Sequence, residues 1–368
     1  MTNPIPYVDI AAQHRPIKEE LLSAVGEVID KGDFILGGPV EEFERRFAAL
    51  SGTRFAVGVN SGTDALTLAL RSLDIGEGDE VITAPNTFVA TATAIRLAGA
   101  RPVFADVGLD RNIDPKNVAD VISHKTRAII PVHLGGLPCD MDAILALAGR
   151  HDIHVVEDCA QAVGARSRGS TVGSLGRIGC FSLHPLKTLN ACGDGGILTT
   201  NEPEIYDRLR VLRNLGLRNR DDCVVWSGNS RLDSIQAAIL LVKLKYLESW
   251  TERRRHNAHV YRQHLSDTRQ VGLPTEKETA ESVYHTFVIE ADDRDRLKDF
   301  LDGRKIETAV HYPDPIHLCS IGRGLGYSEG SFPIAEEQSS RILSLPIYAE
   351  LTTAQLEYIS DSIRSFYS

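Results

Sequence analysis

From about residue 15 to 245 the chain alternates short apolar runs, rich in β-branched residues, with amphipathic stretches of helical period. This alternation leaves few folds open: each βα unit returns the chain to a parallel strand and lays its helix on a face of the sheet. Phe55–Val59, Glu80–Ala84, Arg101–Asp106, Ala128–Val132 and His154–Asp158 read as strands, with Ile197–Thr200 a further short one. The runs are almost unbroken in hydrophobicity, as strands covered on both faces should be. Between them the spacing predicts helices over Asp64–Leu73, from a Pro85-Asn86-Thr87 cap through Ala98 to a stop at Gly99, and over Met141–Arg150. Leu232 to Trp250 reads as one long apolar helix. Beyond about residue 250 the pattern changes to a smaller α+β unit. Strands are expected there at Tyr284–Glu290 and Glu307–His311, and helices at Asp293–Leu301, Ala335–Leu343 and Thr353–Tyr367, with the glycine-rich stretch 316–333 as the segment most expected to move.

Two charged residues stand out against this frame. Lys187 lies in Phe181-Ser182-Leu183-His184-Pro185-Leu186-Lys187-Thr188, and Asp158 lies upstream in Glu157-Asp158-Cys159-Ala160-Gln161. An amine able to form a Schiff base and a carboxylate able to hold a pyridinium nitrogen protonated are the two groups that pyridoxal phosphate most needs from a protein. Asp158 ends an apolar strand, and in open α/β sheets the carboxyl ends of strands face the ligand crevice. Taken alone it also serves as the cap of a helix starting near Ala160, and Lys187 taken alone is also a surface lysine on a loop. Gly62 and Thr63, where the strand Phe55–Val59 runs into a helix, offer backbone N–H groups and a hydroxyl to a phosphate, or simply cap that helix. Ser182 can add a phosphate hydroxyl, Gln161 a hydrogen bond to the 3′ oxygen of the ring, and Phe88 an aromatic face to stack on it, unless Phe88 belongs to the core.

Composition narrows the class. With 40 basic and 50 acidic residues the net charge is −10, which excludes a general nucleic-acid surface. The basic cluster Arg253-Arg254-Arg255 reads as a solvated helix face. Six cysteines (139, 159, 180, 192, 223, 319) form no CxxC pair and no signal peptide is evident, so reduced thiols in the cytoplasm are expected. No apolar run approaches the roughly 20 residues a membrane span needs. The pairs His151/His154 and His256/His259 have helical spacing but no surrounding ligand set, so no metal is expected.

Taken in order along the chain, the motifs resemble the DegT/DnrJ/EryC1/StrS family of pyridoxal phosphate-dependent sugar aminotransferases, from near Gln13 to the C-terminus. They include Phe34-Ile35-Leu36-Gly37-Gly38-Pro39, Asn60-Ser61-Gly62-Thr63-Asp64-Ala65-Leu66, Asn86-Thr87-Phe88-Val89-Ala90-Thr91 and Pro131-Val132-His133-Leu134. Glu157-Asp158-Cys159-Ala160-Gln161-Ala162, Gly193-Asp194-Gly195-Gly196, Gly228-Asn229-Ser230-Arg231-Leu232-Asp233 and His311-Tyr312-Pro313 complete the series. The resemblance implies an α/β, aspartate-aminotransferase-like fold (pyridoxal phosphate fold type I). Its large domain, on a mostly parallel central sheet, is expected over residues 1–247, and a smaller C-terminal α+β domain over 248–368. It implies Lys187 as the Schiff-base lysine, Asp158 as partner of the pyridine nitrogen, Gln161 at the 3′ oxygen and Phe88 as the stacking ring. Gly62, Thr63 and Ser182 would hold the phosphate, with Asn229 reaching the phosphate of the neighbouring subunit, which implies a homodimer with shared sites. His184, His311 and Tyr312 match positions on the substrate side.

The activity implied is transfer of the amino group of glutamate to a keto sugar, a nucleotide-linked keto-deoxyhexose or keto-hexosamine. A non-nucleotide keto or aldehydo sugar, such as an oxidised ulosonate or a keto-inositol, and a non-catalytic regulatory relative are the alternatives. Some relatives are dehydratases with histidine in place of the lysine, and Lys187 speaks against that chemistry. Three departures from the family pattern are expected to lie where the sugar sits: Thr188 to Asn190 after the lysine, Gly135 after His133-Leu134, and Asp222–Gly228 before the asparagine.

Overall fold

The structure is a computed structural model that describes residues 4–275 and 277–368. Its centre is a seven-stranded sheet in the order Phe55–Val59, Gly196–Thr200, Ile178–Ser182, His154–Asp158, Thr126–Ile129, Glu80–Thr83, Arg101–Phe104. All neighbours run parallel except Gly196–Thr200, which is antiparallel to both strands beside it. The helix Gly62–Ser72 lies across the middle strands and buries Ala65, Leu66, Leu68, Ala69 and Leu70, so it is covered on most of its surface. A second, three-stranded antiparallel sheet (Val271–Gly272, Phe287–Ala291, Ile342–Leu345) packs with the helices Leu247–Leu265 and Thr353–Phe366 around its own apolar cluster. Among the described residues no helix is long and apolar enough to cross a membrane.

Buried carboxylates tie the elements together. Glu44, on the helix Gly38–Ser51, accepts from Gly58 N at 2.7 Å and pairs with the buried Arg213, which also donates to Gly58 O at 3.0 Å. Glu157, fully buried, accepts from Leu175 N (2.9 Å) and Gly176 N (2.7 Å) on one oxygen and from Gly173 N (2.8 Å) on the other. His133 Nε2 stands 3.1 Å from that second oxygen, and its Nδ1 accepts from Cys139 N at 3.0 Å, so the proton belongs on Nε2. Cys159 Sγ approaches the same two groups, all within 4.8 Å of one another. Four donors around one carboxylate offset its desolvation and make the turn 173–176 a rigid part of the sheet.

The structure differs from the sequence reading at several points. The expected single helix 232–250 is two, Ser234–Leu244 and Leu247–Leu265, separated where Lys245 N donates to Val242 O (3.2 Å) and Tyr246 N to Lys243 O (3.0 Å), while the side chains of Lys245 and Tyr246 both reach Glu20 on the helix Lys18–Lys31. Leu244 and Leu247 stay three residues apart across the break, so the hydrophobic period does not register it. The expected strand Glu307–His311 is reduced to Ala309, which exchanges both backbone bonds with Ser344. The helix expected over Ala335–Leu343 spans Pro333–Arg341, and Ile342–Leu345 forms a buried strand. A short apolar run there fits either period. Arg254 is 4% exposed rather than solvated, on the buried face of its helix with Trp250, Ala258 and Tyr261.

A Cβ at Gly179 would lie 2.4 Å from Gly173 Cα and 2.5 Å from Thr199 Oγ1. Because Glu157 holds the 173–176 turn, Gly179→Ala should destabilise the protein by about 2–3 kcal/mol. Denaturant unfolding measures this, and an unchanged midpoint would mean that the turn yields.

Candidate active site

A cavity of about 320 Å³ opens at the carboxyl ends of the central strands, where an α/β sheet carries its ligands. Asp158 forms its floor. The carboxylate is 4% exposed and accepts from Thr91 Oγ1 at 2.8 Å and from Ala160 N at 3.1 Å. No helix starts at Ala160, so the capping alternative falls away and the short bond closes only a local turn. Burial raises the Asp158 pKa, and Thr91, the Ala160 amide and the Lys187 charge oppose the rise. A carboxylate this dry, with two neutral donors, is satisfied best by a further cation.

Lys187 supplies the amine. Its turn is closed by Lys187 N donating to His184 O at 2.8 Å and by Leu186 N donating to His184 Nδ1 at 3.2 Å, so the His184 ring, which also lines the cavity, braces the lysine segment. Loss of hydration pushes the Lys187 pKa down to about 8, against the pull of Asp158. Behind the turn, Asn190 donates to Lys187 O (3.0 Å) and to Gln13 Oε1 (3.0 Å), while the fully buried Lys243 donates to Asn190 O at 2.9 Å. Asn190 therefore supports the lysine turn from inside, and neither Thr188 nor Asn190, both buried, lines the cavity where the sugar was expected to meet them.

The cavity also holds an anion cradle. Ser61 caps the helix Gly62–Ser72 by accepting from Asp64 N at 3.1 Å, which leaves the first-turn amides of Gly62 and Thr63 without helical acceptors. A Cβ at Gly62 would lie 2.7 Å from Ser182 Cβ, so only glycine lets the helix start and the Ser182 hydroxyl stand side by side. Phe88 is 51% exposed and lines the cavity, 5.5 Å from the Tyr312 ring, which removes the core alternative. Gln161 spends its Oε1 on Gly135 N (2.6 Å) and donates from Nε2 to Tyr312 Oη (3.3 Å). His311 Nδ1 bonds Ser344 Oγ at 2.8 Å, and burial together with the Lys187 and Arg111 charges lowers its pKa to about 4, so its imidazole is neutral. Burial pushes the Tyr312 phenol up to about 12.

These groups fit pyridoxal phosphate: an anion cradle, a buried carboxylate without a cationic hydrogen-bond partner and an amine with a lowered pKa line one cavity. Lys187, Asp158, His184, Gly62, Thr63, Phe88, Gln161, Ser182, His311 and Tyr312 are brought together. Asn229 is not. It is exposed on the outer surface, its backbone bridged to Asn214, and does not line this cavity. Sequence reasoning missed Thr91, Tyr7, His285 and Arg254, all in the cavity wall. The signal for Arg254 was available, since Leu247, Trp250, Arg254, Ala258 and Tyr261 recur on one helical face.

The DegT/DnrJ/EryC1/StrS aminotransferase family matches residues 15–364. The dTDP-3-amino-3,4,6-trideoxy-alpha-D-glucose transaminase of Streptomyces venezuelae is 43% identical over 98% of this chain and 96% of its own. The UDP-N-acetyl-3-dehydro-alpha-D-glucosamine 3-aminotransferase of Acidithiobacillus ferrooxidans is also 43% identical, over 98% and 97%. Among solved structures, S. venezuelae DesV in complex with ketimine intermediate superimposes with a TM-score of 0.98 at 42% identity, covering 100% of this chain and 99% of that one.

With a pKa of about 8, roughly one Lys187 amine in ten is neutral at pH 7, against fewer than about one in a thousand for an ordinary lysine. The neutral amine is the nucleophile, so capture of pyridoxal phosphate by the cofactor-free protein should speed up as pH rises through about 8 and level off above it. Stopped-flow absorbance checks this, and a rate still climbing tenfold per pH unit at pH 9.5 would contradict it.

Proposed function

The chain belongs to the DegT/DnrJ/EryC1/StrS aminotransferase family and is a pyridoxal phosphate-dependent aminotransferase of keto sugars, and from that premise we propose that glutamate is its amino donor and a nucleotide-linked keto-deoxyhexose or keto-hexosamine its acceptor. The observation that carries the site reading is the pairing, in one cavity, of buried Asp158 with an amine of lowered pKa on Lys187. When bound, pyridoxal phosphate supplies an electron sink that stabilises negative charge on the carbon from which a proton is removed.

The residues divide the remaining work. Gly62 and Thr63 amides with the Ser182 hydroxyl would hold the phosphate, and Phe88 would cover the ring. Gln161, already oriented by Gly135 and Tyr312, has an amide hydrogen left for the 3′ oxygen. Asp158 would hold a proton on the pyridine nitrogen, and a fixed charge of this kind in a dry site is worth several kcal/mol. With the cofactor bound, Lys187 Nζ would serve as the base that moves the proton between two carbons, and its lowered pKa suits a base near neutral pH. His184 keeps the lysine turn in place, and His311 and Tyr312 face the substrate as neutral groups.

The same reading extends to assembly and location. Asn229 lies outside its own cavity, beside exposed Val224, Val225 and Trp226, the last 91% exposed. This supports a homodimer in which Asn229 completes the phosphate cradle of the partner. The break between the helices Ser234–Leu244 and Leu247–Leu265 supports a domain division at residues 1–247 and 248–368. Six free cysteines suit the reducing cytoplasm.

The test is spectroscopic. Glutamate should convert the cofactor of the purified protein to its amino form, and a keto sugar nucleotide should convert it back, whereas Lys187→Ala should do neither at a measurable rate while still binding pyridoxamine phosphate. A Lys187→Ala protein with wild-type turnover would sink the assignment. For the shared site, mixing Lys187→Ala with Asn229→Ala subunits should give heterodimers with one intact site and activity above the sum of the parents. No gain, with subunit exchange confirmed by mass spectrometry, would place Asn229 outside the partner's cradle.

A further inference from the structure

The stretch 184–190 carries Lys187, and its ties to the rest of the molecule meet at one side chain. Within it, Lys187 N and Leu186 N bond back to His184, and His184 N faces Ser182 Oγ at 3.4 Å. Among the described residues, every hydrogen bond from this stretch to a distant segment runs through Asn190. The Asn190 amide gives its two hydrogens to Lys187 O and Gln13 Oε1, each at 3.0 Å. Its oxygen accepts from Lys243 Nζ and from His14 Nε2, the latter at 3.3 Å. Two hydrogens given and two accepted saturate the group, and Lys187 O, which only accepts, fixes which way it faces.

Gln13 belongs to a segment with two other attachments. Ile5 is buried in the apolar cluster of the second sheet, where Ile5 N donates to Lys305 O (2.8 Å) and Glu307 N to Ile5 O (3.0 Å). Tyr7 N donates to Glu307 Oε2 at 3.1 Å, and Tyr7 and Val8 then line the cavity. Asp9 caps the helix Ile10–His14 by accepting from Ala12 N at 2.8 Å, and the buried Gln13 on that helix meets Asn190. Its oxygen is the acceptor that the Asn190 amide finds outside its own turn. Without it a buried N–H lacks a partner, and Asn190 is free to turn away from Lys187 O. The lowered pKa of the Lys187 amine comes from being held away from water, so a turn that loosens returns the amine to water. We propose that Gln13 is a positioning residue for Lys187: acting through Asn190, it makes the N-terminal segment hold the amine in the dry part of the cavity. This rests on the reading of Lys187 as the amine that takes the cofactor.

The experiment follows capture of pyridoxal phosphate by the cofactor-free protein against pH, by stopped-flow absorbance. Gln13→Met keeps the length of the side chain and removes the accepting oxygen. Gln13→Glu keeps that oxygen, and Asn190→Ala breaks the same contact from the other side. In Gln13→Met and Asn190→Ala the midpoint, about 8 in the wild type, should rise by about one pH unit, which slows capture at pH 7 about tenfold. Rates at roughly pH 10 and above, where the amine is neutral in every variant, should agree within about threefold. Gln13→Glu should keep the wild-type midpoint. Affinity for pyridoxamine phosphate, which makes no bond to Lys187, should change less than about twofold in all three, and melting temperature reports folding. An unmoved midpoint in folded Gln13→Met or Asn190→Ala would overturn the inference. So would a Gln13→Glu protein shifted like Gln13→Met, or a loss of pyridoxamine phosphate affinity equal to the loss of capture. If neither Gln13→Met nor Asn190→Ala folds, the contact serves the fold alone and the inference falls. Capture by Lys187→Ala protein at the wild-type rate would instead overturn the reading of Lys187 itself.

Discussion

The burial of Asp158 is the constraint on which the rest of the site depends. A carboxylate 4% exposed at the end of a central strand is tolerable only when donors surround it, and the protein provides two neutral ones, Thr91 and Ala160 N. It does so without an ion pair, which leaves the strongest electrostatic demand open for a ligand. The same dryness that raises the Asp158 pKa lowers that of Lys187, so one property of the cavity prepares both groups, the acid to hold a pyridinium proton and the amine to be neutral.

The strand that carries Asp158 also shows how rigidity is separated from chemistry. Successive side chains of a strand point to opposite faces. Glu157 turns inward to gather Gly173, Leu175, Gly176 and His133, and fixes the sheet, while Asp158 turns to the cavity. Lys187 is supported in a comparable way from behind, through Asn190, Gln13 and Lys243. Asn190 is a departure from the family pattern, and the structure gives it a structural task in place of a role at the sugar. Gly135, another departure, holds Gln161 through its amide at φ +66, with Thr286 Oγ1 3.0 Å from where a Cβ would be. It shapes the site from behind Gln161.

What the sequence determined by itself was the parallel sheet and the chemistry mounted on it. Near-continuous apolar runs separated by helical periods admit little else than an α/β sheet, and the ends of those runs place Asp158, Gly62 and Thr63 at one edge. Lys187 and Asp158 were recognisable because their residue types suit one cofactor and their motifs occur in order. Short-range signals failed where two periods coincide, as at Ile342–Leu345, or where a helix breaks without losing its apolar register, as at Lys245-Tyr246. Tertiary structure alone decided which polar groups are dry. His285, in an ordinary strand-like stretch, carries no local mark of burial, because burial is set by what packs over it from distant parts of the chain. The unpaired Nδ1 of His285, like the lowered pKa of Lys187, is a property of the assembled cavity, since desolvation exists only once the walls are in place.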